Sequence, residues 1–224
     1  MIDAISVENM RDSDAATIAN FVPSLALMHR AAMGIFLSSD WSGTTAIVAG
    51  SGNNGGDGFA LACILREEGF DCTVFNVSDK TSPDSAFYAE KARNAGVPVT
   101  AFQIGCLSGF HTVVDCLLGT GFQGIVRGNY RSAIAEINAS DAFVVSVDIN
   151  SGMNGDSGEA ELAVKSDLTV TIGYVKTGFI TENAGNYIKK LVCADIGIHL
   201  IREEGWITEV SCPPWLDMNI IKAY

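Results

Sequence analysis

From Thr45 onward the chain alternates short apolar, β-branched runs with stretches of helical periodicity. Runs at 45–50, 71–77, 97–102, 111–117, 142–148 and 167–173 read as buried strands, and 56–68, 82–95 and 129–139 read as helices. That alternation predicts crossover units and an α/β fold whose mainly parallel sheet is covered on both faces. Ligands of such sheets bind beyond the carboxyl ends of the strands, and each polar cluster in this chain follows the end of an apolar run. The first forty residues read as helical instead. Met10, Asp14, Thr17 and Ile18 recur at helical spacing within 7–18, and Pro23 then breaks the pattern. A second helix is expected from Ser24, as N-cap, to about Leu37, with Leu27, Met28, Ala31 and Phe36 as its apolar positions. His29 and Arg30 on it read as a solvated or interface face rather than as functional groups. No internal repeat or linker divides the chain. One domain over 1–224 is expected, with a helical segment at about 5–38, an α/β core at about 44–200 and an irregular tail from Trp206.

The sharpest local signal runs from Ala46-Ile47-Val48-Ala49 into Gly50-Ser51-Gly52-Asn53-Asn54-Gly55-Gly56-Asp57-Gly58, followed by a helix from Phe59 that stops near Gly69. Strand, glycine-rich turn and helix together present backbone amides and a helix N-terminus to an anion, usually phosphate. No Gly-Lys-Ser/Thr follows, so this is not a P-loop, and the glycine spacing is not the dinucleotide fingerprint. The asparagines add neutral oxygens that a bare phosphate cradle does not need. Asp57 reads equally as a helix cap, a ligand contact or a catalytic assistant.

Three further clusters carry chemistry. Asp115 lies inside the apolar run 111–117, where a carboxylate must be hydrogen-bonded, paired or metal-bound, or must cap a neighbouring helix. Beyond it, Thr120-Gly121 reads as a second amide pair for phosphate. Asp148 ends the run 142–148 and is the best general acid/base in the chain, at the mouth of a site with an apolar wall behind it. Lys176 follows the run 167–173 and reads as a phosphate contact, a loop-ordering group or a solvated side chain. Asn54, Asp115 and Ser151, if they converge, offer one carboxylate and otherwise neutral oxygens, which suits a monovalent cation such as potassium better than magnesium or calcium.

Composition narrows the partners. The chain is 48% apolar and 18% charged with a formal net charge of −12, so it is globular and lacks the basic stripe of a nucleic-acid binder. Six cysteines form no CxxC pair, the three histidines are scattered, and zinc is not supported. Buried thiols, no visible secretory signal and no apolar run of about 20 residues point to a reducing cytoplasm with no membrane attachment.

Taken together, these residues resemble the NAD(P)H-hydrate epimerases, the YjeF N-terminal domain, over about Val7 to His199. Leu27-Met28-His29-Arg30-Ala31-Ala32, Gly50–Gly58, Asp115 with Gly119-Thr120-Gly121, Val147–Gly152, Lys176-Thr177-Gly178 and Ala194-Asp195-Ile196-Gly197-Ile198 carry the likeness in order. The resemblance implies a Rossmann-like three-layer αβα sandwich, often a homodimer, that interconverts the R and S forms of hydrated NADH or NADPH. It implies nucleotide contacts from Asn53, Asn54, Gly55, Gly56 and Asp57, from Gly119, Thr120, Gly121, Phe122, Gln123, Gly124 and Ile125, and from Asp148. Potassium would be held by Asn54, Asp115 and Ser151, and proton transfer would fall to Asp148 with Asp57 or Lys176 assisting. A functional link to a separate NAD(P)HX dehydratase is also implied, since no fused dehydratase domain is expected. Asn150 and Thr177 stand where the family commonly has proline, so the loop at Asn150 is expected to be less rigid. The competing readings are a non-catalytic scaffold of the same fold and a generic phosphate-binding transferase.

Overall fold

The structure, a computed structural model, describes residues 2–201 and 206–224. In chain order it runs β1 (Ile2–Ile5), α1 (Val7–Asn20), α2 (Ser24–Leu37), β2 (Thr45–Ala49), α3 (Asn53–Glu67), β3 (Cys72–Asn76), α4 (Pro83–Asn94) and β4 (Val99–Ala101). It continues β5 (Thr112–Cys116), α5 (Gly128–Ala139), β6 (Phe143–Val147), β7 (Leu168–Ile172), β8 (Val175–Lys176), β9 (Lys190–Asp195), β10 (Trp206–Val210) and β11 (Asp217–Lys222). The period-2 geometry of a strand sends alternate side chains to opposite faces, and β2 shows the result: Ile47 and Ala49 enter one core, Ala46 and Val48 another. Helices α2, α3 and α4 supply Ile35, Leu61 and Ala89 to the first, and α5 supplies Ile134 and Ile137 to the second.

Among the described residues the main sheet has eight strands in the order β11-β9-β7-β6-β5-β2-β3-β4, and every pairing in it is parallel. Chain order reverses direction between β2 and β5: the chain leaves β2 outward to β3, then returns to β5 on the other side. A crevice opens beyond the carboxyl ends of two strands at such a switch point. The αβα sandwich expected from the alternating pattern is therefore present, with its site-forming crevice fixed by topology.

Three expectations need correction. The N-terminal segment is not wholly helical, because Ile2–Ile5 form a strand that pairs with β8 and β10 in a second, three-stranded sheet. The tail from Trp206 is not irregular throughout: β10 pairs antiparallel with β1, and β11 pairs parallel with β9 along the main sheet's edge. Ser24 is not an N-cap; Pro23 occupies that position, and no side chain caps the helix. On α1, Met10 and Thr17 are buried as expected, Asn9 and Ser13 join them, and Ile18 is exposed.

Backbones pack closely at the switch point. A Cβ on Gly50 would sit 1.9 Å from the Leu117 carbonyl oxygen, whereas one on Gly121 would meet nothing within 4 Å. Gly50→Ala is therefore expected to lose about 1–3 kcal/mol through overpacking, with Gly121→Ala within about 0.5 kcal/mol of the parent. Urea denaturation of the two variants checks this, and equal midpoints would contradict it.

Candidate functional site

The doubled asparagine lies in a helix. α3 begins at Asn53 with Gly52 as its N-cap, so the segment expected to be a loop up to Gly58 is the helix's first turn and a half. Glycine is a poor helix former, but packing demands it here. A Cβ on Gly55 would lie 2.2 Å from the Gly50 carbonyl oxygen, and one on Gly58 would lie 2.9 Å from Cys116. Tight seating brings the first amides of α3, which have no intrahelical acceptor, to the mouth of the crevice. Asp57 is thus neither a loop residue nor a cap. It projects from within the helix.

Asp115 is fully buried on β5 and accepts four hydrogen bonds. Ser151 gives two, from its amide at 2.9 Å and its hydroxyl at 2.5 Å, and the Leu117 amide and Ser146 hydroxyl give the others. Burial pushes this carboxyl up from its ordinary value, and those donors pull it back toward the charged form. The Leu118 amide donates to Ser151 Oγ at 2.9 Å, and Asn54 Nδ2 donates to the Leu118 carbonyl at 3.0 Å. Asn54, Asp115 and Ser151 therefore do come together, joined through Leu118. Asn54 Oδ1 is buried without a hydrogen-bond partner, one of five such side-chain atoms among the described residues. A neutral oxygen left in that state costs about 1–3 kcal/mol, which a bound cation would relieve.

Asp148 stands just past β6 with φ +66, alone among the described non-glycine residues in having a positive φ. Such a conformation costs on the order of 1–3 kcal/mol and persists only where its surroundings enforce it. Here the Lys176 ammonium donates to Oδ1 at 2.6 Å and the Thr120 amide donates to Oδ2 at 3.1 Å. A Cβ on Gly119 would sit 2.7 Å from Oδ2, so glycine is required where the carboxylate lies against the chain. Lys176 is fully buried, and its other two bonds go to Thr171 Oγ1 at 2.9 Å and the Ile172 carbonyl at 2.8 Å. It is neither solvated nor free to meet a substrate phosphate. Its work is to fix Asp148. The Thr120 amide is likewise committed to Asp148, so the expected Thr120-Gly121 amide pair is reduced to Gly121.

Asn150 does not loosen its loop. Its Nδ2 donates to the Val164 and Tyr187 carbonyls and to Ser166 Oγ, and its Oδ1 accepts from Thr169 Oγ1 at 2.6 Å. Thr177 Oγ1 donates to Asp156 Oδ1 at 3.1 Å.

A cleft of about 630 Å³ opens over these groups. Asn53, Asn54, Asp57, Asp148 and 119–123 line it, while Gly124 and Ile125 line a neighbouring depression of about 580 Å³. Leu27, Met28, Ile172 and Ile196 form an apolar wall suited to a ring. Asp14 of α1 also reaches the cleft; its spacing sets it in line with Met10, Thr17 and Ile18, but nothing in that helical pattern points to chemistry. Burial raises the Asp14 carboxyl, and the Asp148 charge adds to that. Asp57 is raised well above the ordinary range, first by burial, then by Asp148 and Asp14, with Lys176 only partly offsetting them. No cluster of three or more His, Cys, Asp or Glu suited to a metal forms among the described residues. All six cysteines are free thiols.

A profile of the family described as YjeF-related protein N-terminus matches residues 24–178. An NAD(P)H-hydrate epimerase of Lentilactobacillus buchneri is 36% identical over 89% of this chain and 96% of its own length. A bifunctional NAD(P)H-hydrate repair enzyme of Archaeoglobus fulgidus is 39% identical over 78% of this chain, which spans 37% of that longer protein. The crystal structure of the yeast protein YNL200c superposes with a TM-score of 0.73 at 18% identity, over 91% of this chain and 98% of its own, which shows a common fold.

Two stability effects follow from the geometry. Lys176→Met leaves the Asp148 carboxylate without its ion partner and is expected to cost about 3 kcal/mol, measured by urea denaturation. Asp57→Asn acts oppositely. A carboxyl raised in the folded state favours folding below its unfolded pKa of about 4, and that advantage is lost as pH rises through the raised folded value. The variant is therefore expected to melt at or below the parent's temperature near pH 4 and progressively above it toward pH 8. Parallel melting curves across that range would contradict the assignment.

Proposed function

The chain belongs to the family of YjeF-related N-terminal domains, and on that footing we propose that it is an NAD(P)H-hydrate epimerase, an isomerase that interconverts the R and S forms of hydrated NADH or NADPH. The observation that carries this reading is Asp148, an ion-paired carboxylate held in a strained conformation at the mouth of a cleft with helix amides on one side and an apolar wall on another. Hydrated NAD(P)H bears a hydroxyl on the ring carbon beside the ring nitrogen. Loss of that hydroxyl, or opening of the ring, erases the configuration, and re-addition to the other face yields the second epimer. Either route needs one group that gives a proton, one that takes it, and a site that holds the dinucleotide still. Asp148 is suited to the proton work, and the amides of Asn53–Gly55, which lack an intrahelical acceptor, are suited to a phosphate of the dinucleotide. Acid–base assistance of this kind contributes about 10²–10⁴-fold.

Potassium fits the corner formed by Asn54, Asp115 and Ser151. The unpartnered Asn54 Oδ1, the single carboxylate and the hydroxyl make a donor set of low charge. A cation bound there would offset the Asp115 charge and tie the α3 turn to the 117–119 and 149–152 loops. The resemblance further supports a homodimer. The bifunctional relative supports a functional link to a dehydratase that consumes one epimer. Free thiols suit a cytoplasmic location, and no helix among the described residues is long and apolar enough to cross a membrane.

An unequal mixture of the two hydrate epimers, followed by chromatography, tests the activity. Their ratio is expected to reach equilibrium at least about 10²-fold faster than in buffer, and no acceleration in potassium salt would overturn the reading. Exchanging choline chloride for potassium chloride at constant ionic strength is expected to raise the melting temperature of the parent but not of Asn54→Ala. An equal response in both would remove potassium from the proposal.

A further inference from the structure

We propose that Asp57 gives the proton to the departing hydroxyl, that Asp148 takes one from the returning water, and that Asp14 is the positioning residue that fixes this division. The inference rests on the epimerase reading and assigns roles within the same cleft.

Asp14 on α1, Asp57 on α3, Asp84 on α4 and Asp148 past β6 all line the cleft, where Arg11 is the lining cation. Lys176 lies behind them, with its three protons already committed to Asp148, Thr171 and Ile172. Asp148 receives two donors, one charged and one neutral. Asp57 receives none: what acts on it is burial and the negative charges of Asp148 and Asp14, offset in part by Lys176. Tyr88 of α4 also senses the Asp57 charge and is itself pushed up, chiefly by burial. Two carboxyls in one cleft with surroundings this different, one held by an ammonium and an amide and the other raised by burial and like charge, are suited to divide the work of base and acid.

The step balances without another reactant. Asp57 transfers its proton to the hydroxyl oxygen; the carbon–oxygen bond breaks with its electron pair on oxygen, and water leaves. The ring-nitrogen lone pair fills the carbon–nitrogen iminium bond. Water then adds to the opposite face as that pair returns to nitrogen, and its surplus proton passes to Asp148. Exchange with solvent restores both carboxyls.

The test is kcat/KM against pH for the wild type, Asp57→Asn, Asp14→Asn and Asp14→Glu. Wild-type activity is expected to fall on the alkaline side as Asp57 loses its proton. Asp57→Asn is expected to lose about 10²–10⁴-fold and its alkaline limb with it. In Asp14→Asn one of the two charges that hold the Asp57 proton is gone, so the alkaline limb moves to lower pH; Asp14→Glu restores it. A residue that served only the fold would leave the limb in place. Asp57→Asn within about twofold of the wild-type rate, or an unshifted limb in Asp14→Asn, overturns this assignment alone. A wild type that does not accelerate epimerisation overturns the epimerase reading and the assignment together. Asp14→Asn decides the question by itself should Asp57→Asn fail to fold.

Discussion

A fully buried ammonium organises the active face of this molecule. Lys176 has no exposed side-chain surface, so its charge must be met within the protein, and Asp148 meets it at 2.6 Å. That requirement reaches outward in both directions. Asp148 must leave the extended conformation of β6 to aim a carboxylate oxygen back at Lys176, and its positive φ is the result. On the other side, β8 pairs with β1, with Ile5, itself buried, in register with Lys176, so the N-terminal strand is the lysine's direct neighbour. The three-stranded sheet therefore belongs to the site's architecture, although it lies outside the α/β core.

What the chain discloses in advance depends on whether one residue's reason for being there is local. β2, β5, β6 and β7 are legible because strands buried on both faces must be continuously apolar, and no partner need be known to see it. β1 and β11 are not. Ile2–Ile5 is only four residues long, and Asp217–Lys222 is a half-exposed edge strand whose pairing with β9 supplies the order that its pattern lacks. The first turn of α3 is hidden for the opposite reason. Its glycines argue against a helix by propensity, yet they are dictated by contacts with Gly50, Met28 and Cys116 across the fold. Asp148 and Asp115 were legible as chemistry because an acid in an apolar strand needs an explanation; Asp14 shares a stripe with Met10, Thr17 and Ile18, but on a helix with a polar buried face it did not stand out.

Asn150 shows that rigidity has two sources. Proline restricts a loop through its own ring. Asparagine leaves the backbone free but carries two donors and an acceptor, and here all are engaged with Val164, Ser166, Tyr187 and Thr169. Order of the first kind needs no neighbours, whereas the second requires the 164–169 segment and the Tyr187 turn to be in place first. The loop carrying Ser151 is therefore coupled to distant chain in a way that a proline loop is not. Thr177, bonded to Asp156, extends the same dependence to the segment following Lys176.

Three features that lower stability meet at the cleft. Asp148 occupies a strained backbone conformation, Asp57 is a half-buried carboxyl with no donor, and Asn54 Oδ1 is a buried acceptor with no partner. A core selected for stability alone would remove each of these, by glycine or asparagine at the strand tip, by an amide at Asp57, by a shorter polar residue at Asn54. They lie instead around one cleft, while the cores on both faces of the sheet are filled by apolar side chains from regular elements. Each departure would also have a chemical use of its own under the proposed roles: the strain would aim a base, the absent donor would keep a proton on an acid, and the unpaired oxygen would serve as a ligand. Since the three arise from different physical causes, their coincidence at the switch point supports catalysis there more strongly than any one of them would.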